Sequence, residues 1–275
     1  MRLRAVSRWM LPAACVALMQ AFGAAPAAAG AWTEEEGRWL LITSATYSQT
    51  TTGGYDQHGR PAGSGSYRTF EFSPYIEYGV TDDLTVGLQP RIDYVNLSYN
   101  TGRARQTNAG LAEVNLFARY TLYRWDFDVV SVQGMFGLPG TAGNNQPLVA
   151  NPWAEYEARA LWGHAFDLTD DIHGFTDVEL AYRLSGGHSA DQIHLDVSVG
   201  ILPDPDWLIL AQVFATKSVR NQTGNGGDYD QVRVQLGVAN QIEDDVWLQL
   251  GVFRDVAGRK LAKATGGLVS LLFRF

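Results

Sequence analysis

Residues 231–252 read QVRVQLGVANQIEDDVWLQLGV, and they contain the unit from which the chain is built. Val232, Val234, Leu236 and Val238 alternate with Gln231, Arg233 and Gln235. After an acidic turn at 243–245, Val246, Leu248, Leu250 and Val252 form the next apolar face. Apolar residues recurring at every second position mark a strand with one face apolar and one polar. Two such strands around a tight polar turn make an antiparallel hairpin.

The pattern repeats on the N-terminal side. Leu84, Val86, Leu88, Ile92 and Tyr94 oppose Thr85, Gln89, Arg91 and Asp93, and Ala112, Val114, Leu116, Ala118 and Tyr120 oppose Glu113, Asn115, Arg119 and Thr121. Ala154, Tyr156, Ala158, Ala160 and Trp162 oppose Glu155, Glu157 and Arg159. Val178, Leu180, Tyr182 and Leu184 oppose Asp177, Glu179 and Arg183, and Ile193, Leu195, Val197, Val199 and Ile201 oppose Gln192, His194, Asp196 and Ser198. Alternation is weaker in the first strand (about 38–47), the fifth (about 127–138) and the ninth (about 207–216), where either face could point outward.

Short acidic turns at 81–83, 124–126, 169–171, 203–206 and 243–245 alternate with longer Gly-, Asn- and Ser-rich loops near 49–65, 99–109, 139–151, 185–191, 217–229 and 256–265. Five turns and six loops connect twelve strands. The strands run to about ten to fourteen residues, enough to cross a bilayer at a tilt, whereas soluble strands average about five or six. Even strand number, short periplasmic turns and long outer loops define a transmembrane up-and-down antiparallel β-barrel. Aromatic residues cluster at both strand ends: Tyr78, Tyr120, Tyr123, Trp125, Trp162, Trp207 and Trp247 by the short turns, and Tyr47, Tyr99, Trp153, Tyr182 and Tyr229 toward the loops. They are expected to form two interfacial girdles.

The two ends of the chain support the same reading. Arg2, Arg4 and Arg8 precede an apolar run from Trp9 to Phe22 and a small-residue stretch through Ala29, the order of a signal peptide cleaved near Ala29. Residues 30–275 would then form a single barrel domain. The only cysteine, Cys15, lies in the leader, so the mature chain has no thiol chemistry. Cleavage leaves 18 basic against 29 acidic residues, a net charge of −11, which argues against a nucleic-acid partner. No later run is apolar and long enough for a membrane helix, so an exported chain residing in lipid would do so as a closed barrel. At the other end, Val269, Leu271, Phe273 and Phe275 alternate with Leu268, Ser270, Leu272 and Arg274. Such a strand, ending on Phe275, looks like the signal by which outer-membrane barrels engage their insertion machinery.

The charged faces set the functional expectations. Glu71, Glu77, Arg91, Asp93, Glu113, Arg119, Glu155, Glu157, Arg159, Asp177, Glu179, Arg183, His194, Asp196, Arg233 and Arg274 are expected inside, because Arg or Lys facing lipid at the midplane costs about 2–4 kcal/mol. They would either set the selectivity of a polar conduit or plug a narrow barrel with ion pairs, since twelve strands fall between filled eight-stranded and open sixteen-stranded barrels. His188, Ser189 and Asp191 could suggest a rim hydrolase, but adjacent residues in one loop rarely give nucleophile and base the geometry they need. The histidines show no metal-ligand spacing. Loop oxygens at Asn225, Asp228 and Asp230 read as solvated loop rather than as a calcium site. Neither a catalytic residue nor a cofactor is expected.

The segment Glu77-Tyr78-Gly79-Val80-Thr81-Asp82-Asp83-Leu84-Thr85-Val86-Gly87-Leu88 resembles the strand-turn-strand of the outer-membrane barrel family known as "MetA-pathway of phenol degradation". Ala31-Trp32-Thr33 leading to Gly37, and Leu138-Pro139-Gly140-Thr141, are also similar, although the LPGTAG reading at 138–143 departs from a regular P-T-G. These motifs largely encode barrel turns. Membership implies an outer-membrane channel or transporter for small, including aromatic or hydrophobic, compounds. A structural or surface-interaction barrel with a plugged lumen is the alternative.

Overall fold

The structure is a computed structural model that describes residues 30–275 except 51–52, 63–65, 99–105, 142–146, 148, 150–151, 188 and 221–227. Twelve antiparallel strands form one closed barrel. They are β1 (Trp39–Thr50), β2 (Ser66–Thr81), β3 (Leu84–Ser98), β4 (Gln106–Arg124), β5 (Asp128–Pro139) and β6 (Glu155–Asp167). The circuit continues through β7 (His173–Ser185), β8 (Asp191–Asp204), β9 (Trp207–Arg220), β10 (Asp230–Glu243), β11 (Val246–Arg259) and β12 (Thr265–Arg274). Every strand pairs with its sequence neighbours, and β1 closes the circuit against β12 from Leu40↔Arg274 to Gln49↔Thr265. Trp39 and Phe275 extend this seam by exchanging backbone hydrogen bonds of 2.7 and 3.0 Å. Three two-residue strands, Gly54–Tyr55, Pro61–Ala62 and Leu261–Ala262, form a small sheet at the long-loop end.

Period-two patterning decides which side chains face lipid. Leu236, Leu250, Val252, Ile209, Leu180 and Val269 are exposed, as a hydrocarbon-facing belt requires. Tyr120, Tyr123, Trp125, Trp162 and Trp207 are exposed by the short turns, and Tyr47 and Trp153 toward the long loops. Trp247 departs from the girdle expectation. It is buried inside the barrel, because it alternates with the outward-facing Val246 and Leu248. Ala112 is likewise enclosed rather than on the outer face: a bulge between the pairs Arg91↔Glu113 and Ile92↔Leu111 leaves it unpaired with β3. A β-bulge of this kind flips the inside–outside register beyond it.

The ladder is interrupted between the second and third strands. Between β2 and β3 the register runs Phe72↔Ile92 and resumes at Ile76↔Leu88, which sets Pro74 directly opposite Pro90. An antiparallel ladder alternates pairs that exchange two N–H···O bonds with pairs that exchange none. The loss of pairing from 73 to 75 is what results when the Pro74–Pro90 position is a bonding pair and neither residue has an N–H.

Candidate lumenal site

Ahead of β1 the chain lies inside the barrel, entering from the short-turn end. Gly37 makes the turn that allows this, with φ +81°, a backbone region that side chains rarely tolerate. Gly37 N–H donates to Gly79 O at 2.8 Å, and Gly79 N–H donates to Arg38 O at 3.0 Å. Gly79 permits the close crossing, since a Cβ there would stand 1.9 Å from Glu35 O.

Residues 30–36 are then tied down one by one. Glu36 N–H donates to Asp82 Oδ1 (3.0 Å), and Glu34 N–H to Thr85 Oγ1 (2.8 Å). Thr33 Oγ1 donates to Asp82 O (2.6 Å) and accepts from Arg124 Nη2 (3.1 Å). Glu34 pairs with Arg274 at 3.0 Å. Trp32 packs over Gly163 and meets Phe175 edge-on, with ring centroids 6.1 Å apart. Ala31 is fully buried; its N–H donates to Asp177 Oδ2 (3.0 Å), and its carbonyl accepts from Ser131 Oγ (2.5 Å). Gly30 O accepts from Arg119 Nη1 at 2.7 Å.

Glu77, Gly79, Asp82 and Thr85, in the stretch that resembled turn chemistry, therefore have a second task. Asp82 and Thr85 bind the inserted segment, Gly79 gives it room, and Glu77 holds the arginine that reaches Gly30. Only Asp82 and its neighbour Asp83 also make the turn.

Above the segment lies a charged layer. Arg119 and Glu77 form a fully buried ion pair, and Tyr75 Oη also donates to Glu77. Arg159 binds Glu157 (2.9 Å), Asp196 (2.8 Å) and Glu179, while Arg183 binds Glu157 (2.8 Å) and Glu155 (3.3 Å). Arg119–Glu77 and Arg159–Asp196 each reach past an intervening strand, β4 to β2 and β6 to β8, whereas the other contacts lie within one strand or between neighbours. Glu71 sits opposite Asp93 in the ladder, and Arg91 offsets this repulsion at 3.7 Å from Asp93 and 3.5 Å from Glu113. His194 contacts Gln192 (3.1 Å) and Thr216 (3.4 Å). Arg233 joins Asp255 (2.9 Å) and lies 4.3 Å over the Phe253 ring. Arg91, Arg119, Arg159 and Arg183 thus share the middle layer with a larger number of carboxylates, and the interior is acidic.

Below this layer an apolar cluster stands beside the buried Glu34–Arg274 pair. Leu40, Phe175, Leu208, Leu210, Trp247 and Leu272 pack together, and Trp32 touches both this cluster and a second one of Ala31, Val129 and Leu161. Leu40, Val129, Leu208 and Leu210 come from the first, fifth and ninth strands, whose alternation was weak. Both faces of these strands are apolar here, one against lipid and one against the inserted segment. At the long-loop end, Asp228 and Asp230 are occupied by Arg259, Lys260 and Lys217, so their oxygens serve ion pairs. Asp191 caps Ser185 N–H (3.0 Å) and accepts from Tyr182 Oη (3.1 Å); His188 lies outside the described residues.

No protein-family model and no curated protein matches the chain in sequence. Solved structures do match in fold. An outer membrane channel from Pseudomonas putida F1 superposes with a TM-score of 0.70 at 14% identity, over 90% of this chain and 98% of that one. The NanC porin gives 0.52 at 8% identity over 85% and 98%, and the β domain of the Bordetella autotransporter BrkA gives 0.52 at 11% over 87% and 99%. The fold is that of the bacterial outer-membrane β-barrels. Within that class this chain is a twelve-stranded, porin-like barrel carrying its own N-terminal segment in the lumen.

Proposed function

We propose that the protein is an outer-membrane channel for small molecules, narrowed by its own N-terminal segment. The observation that carries this reading is the layered interior: an acidic, arginine-bridged layer above an apolar floor, with residues 30–36 between barrel walls. Acidic excess favours cations over anions in the charged layer, as rings of carboxylate do in pores. The apolar floor, together with the resemblance of residues 77–88 to the phenol-degradation barrels, supports aromatic or hydrophobic solutes as cargo. In this reading Glu71, Arg91, Asp93, Glu113, Glu155, Glu157, Arg159, Asp177, Glu179, Arg183, His194, Asp196 and Arg233 line the path. Residues 1–29 act as a signal peptide cleaved near Ala29, and Val269, Leu271, Phe273 and Phe275 are read by the insertion machinery.

Folded, heat-modifiable protein in planar bilayers should give discrete, cation-selective conductance steps, larger when residues 30–36 are deleted. A silent bilayer from both proteins would sink the channel reading. A barrel whose lumen is structural is favoured by one observation, the complete burial of Arg119 and Glu77. In that case loop deletions would abolish a surface-binding phenotype, and charge reversals at Arg159 or Arg183 would leave it intact.

A further inference from the structure

Asp177 is buried beside Gly30 and Ala31, and among the described residues no arginine, lysine or histidine pairs with it. The surrounding charged groups are already engaged. Arg119 holds Glu77 and Gly30 O, and Arg159 holds Glu157, Glu179 and Asp196. Glu179 lies two residues along the same strand and adds negative charge. A buried carboxyl in such company is ionised only with a counter-charge beside it and is otherwise held protonated.

The missing cation is next to it. A Cβ built on Gly30 would stand 2.7 Å from both Asp177 Cγ and Oδ1 and 2.8 Å from Oδ2. For a side chain that is a collision. An amine in that direction meets the same carboxylate, and a shift of a few tenths of an ångström off the carboxylate carbon brings it to an oxygen at the N⁺–H···O⁻ distance of a strong ion pair, about 2.7–2.9 Å. An N–Cα bond is nearly as long as a Cα–Cβ bond, and at a free N-terminal glycine rotation about Cα–C can place the amine in that same tetrahedral position.

We propose that the α-ammonium of Gly30, created when the signal peptide is removed after Ala29, binds Asp177 in the lumen and locks the inserted segment in place. This rests on the cleavage position proposed above. Water hydrolyses the Ala29–Gly30 amide: the C–N bond breaks, Ala29 leaves as a carboxylate, and the Gly30 nitrogen keeps the electron pair and takes up protons to become an ammonium. Processing thus turns a neutral amide with one hydrogen into a cation with three, beside a carboxylate that has spare acceptor sites after binding Ala31 N–H. It also gives Gly30 a reason to be glycine.

The test uses the full-length precursor, exported by a bacterial host and extracted folded from the outer membrane. Terminal sequencing should find Gly30 first; another first residue overturns the proposal and leaves the channel reading standing. Acylation of the Gly30 amine by an N-hydroxysuccinimide ester, followed on the N-terminal peptide by mass spectrometry, should be slowed more than about tenfold relative to urea-unfolded protein, as for a group exposed only by local opening. Asp177→Asn keeps an acceptor for Ala31 N–H but removes the charge, and should return most of that reactivity while the protein still runs as a heat-modifiable barrel. Gly30→Ala should do the same by collision. Equal labelling of folded and unfolded wild type, or Asp177→Asn as protected as wild type in a folded barrel, would overturn the assignment.

Discussion

Replacing Arg119 by methionine tests the electrostatics of the lumen and also gives up the hydrogen bond to Gly30 O. Arg119 and Glu77 are both fully buried, so solvent screening does not discount their interaction. Glu77 would keep only the Tyr75 hydroxyl as a partner. Removing one member of a buried ion pair typically costs about 3–5 kcal/mol, because the other charge stays desolvated and uncompensated. Neutralising the remaining partner should recover most of that loss, since buried pairs replaced by neutral groups of similar volume are often no less stable. Glu77→Gln is the appropriate second change: its amide oxygen still accepts from Tyr75, whereas leucine would leave that hydroxyl unsatisfied at about 1–3 kcal/mol. Urea unfolding from lipid vesicles, followed by tryptophan fluorescence and gel mobility, should rank wild type and the double variant close together with Arg119→Met well below. Arg119→Met unfolding at the wild-type urea concentration would refute the reasoning, as would a double variant no better than the single.

Further outcomes follow from other parts of the molecule. Gly163→Val should push Trp32 off its seat, because even a Cβ there would lie 2.5 Å from the indole, and single-channel conductance should rise; Gly134→Val, where a Cβ meets nothing, should leave it unchanged. Replacing Pro74 and Pro90 together by valine supplies two ladder donors, each worth about 0.5–1.5 kcal/mol, and hydrogen exchange at the flanking amides of residues 72, 76, 88 and 92 should slow. Hydrogen bonds from Arg259, then from Lys260, hold the Asp228 carboxyl below its usual range. Its folded value lies below its unfolded value, so its contribution is present above the unfolded value of about 3.9 and is lost as pH falls further through the folded value. The side-chain NMR shifts of Arg259 and Lys260, which donate to Asp228, should be unchanged from pH 7 to 5 and move only in more acidic solution.

The outer half of this protein is readable in its sequence because lipid imposes one rule on every strand. Leu236, Leu250 and Val252 must be apolar, and their partners two residues apart make the count of twelve unambiguous. The interior obeys no such single rule. Leu208 and Ile209 look alike in sequence, yet one is enclosed and the other faces lipid, because Leu208 packs in the apolar floor that Trp32 adjoins. Weak alternation in the first, fifth and ninth strands was itself a trace of something apolar in the lumen. Ala31, Trp32 and Thr33 gave no periodic signal, since each is held by different groups on distant strands. Trp247 could have been placed by strict parity with Val246 and Leu248, and proximity to a turn was the poorer guide. The strand charges from Glu71 to Arg233 can be picked out one strand at a time, but pairs such as Arg119–Glu77 and Arg159–Asp196 reach past an intervening strand and need the curvature of the sheet to be known.

The turn at Gly37 also has a consequence in time. It sits immediately before Trp39, which exchanges hydrogen bonds with Phe275 at the meeting of first and last strands. The start of the first strand and the end of the last are therefore fastened at one place. A chain that zipped its two edges together with residues 30–36 still outside would have to pass an indole back through its finished mouth. Housing those residues while the edges are still apart would avoid that detour, and the joining of edges would then be the step that also fills the interior.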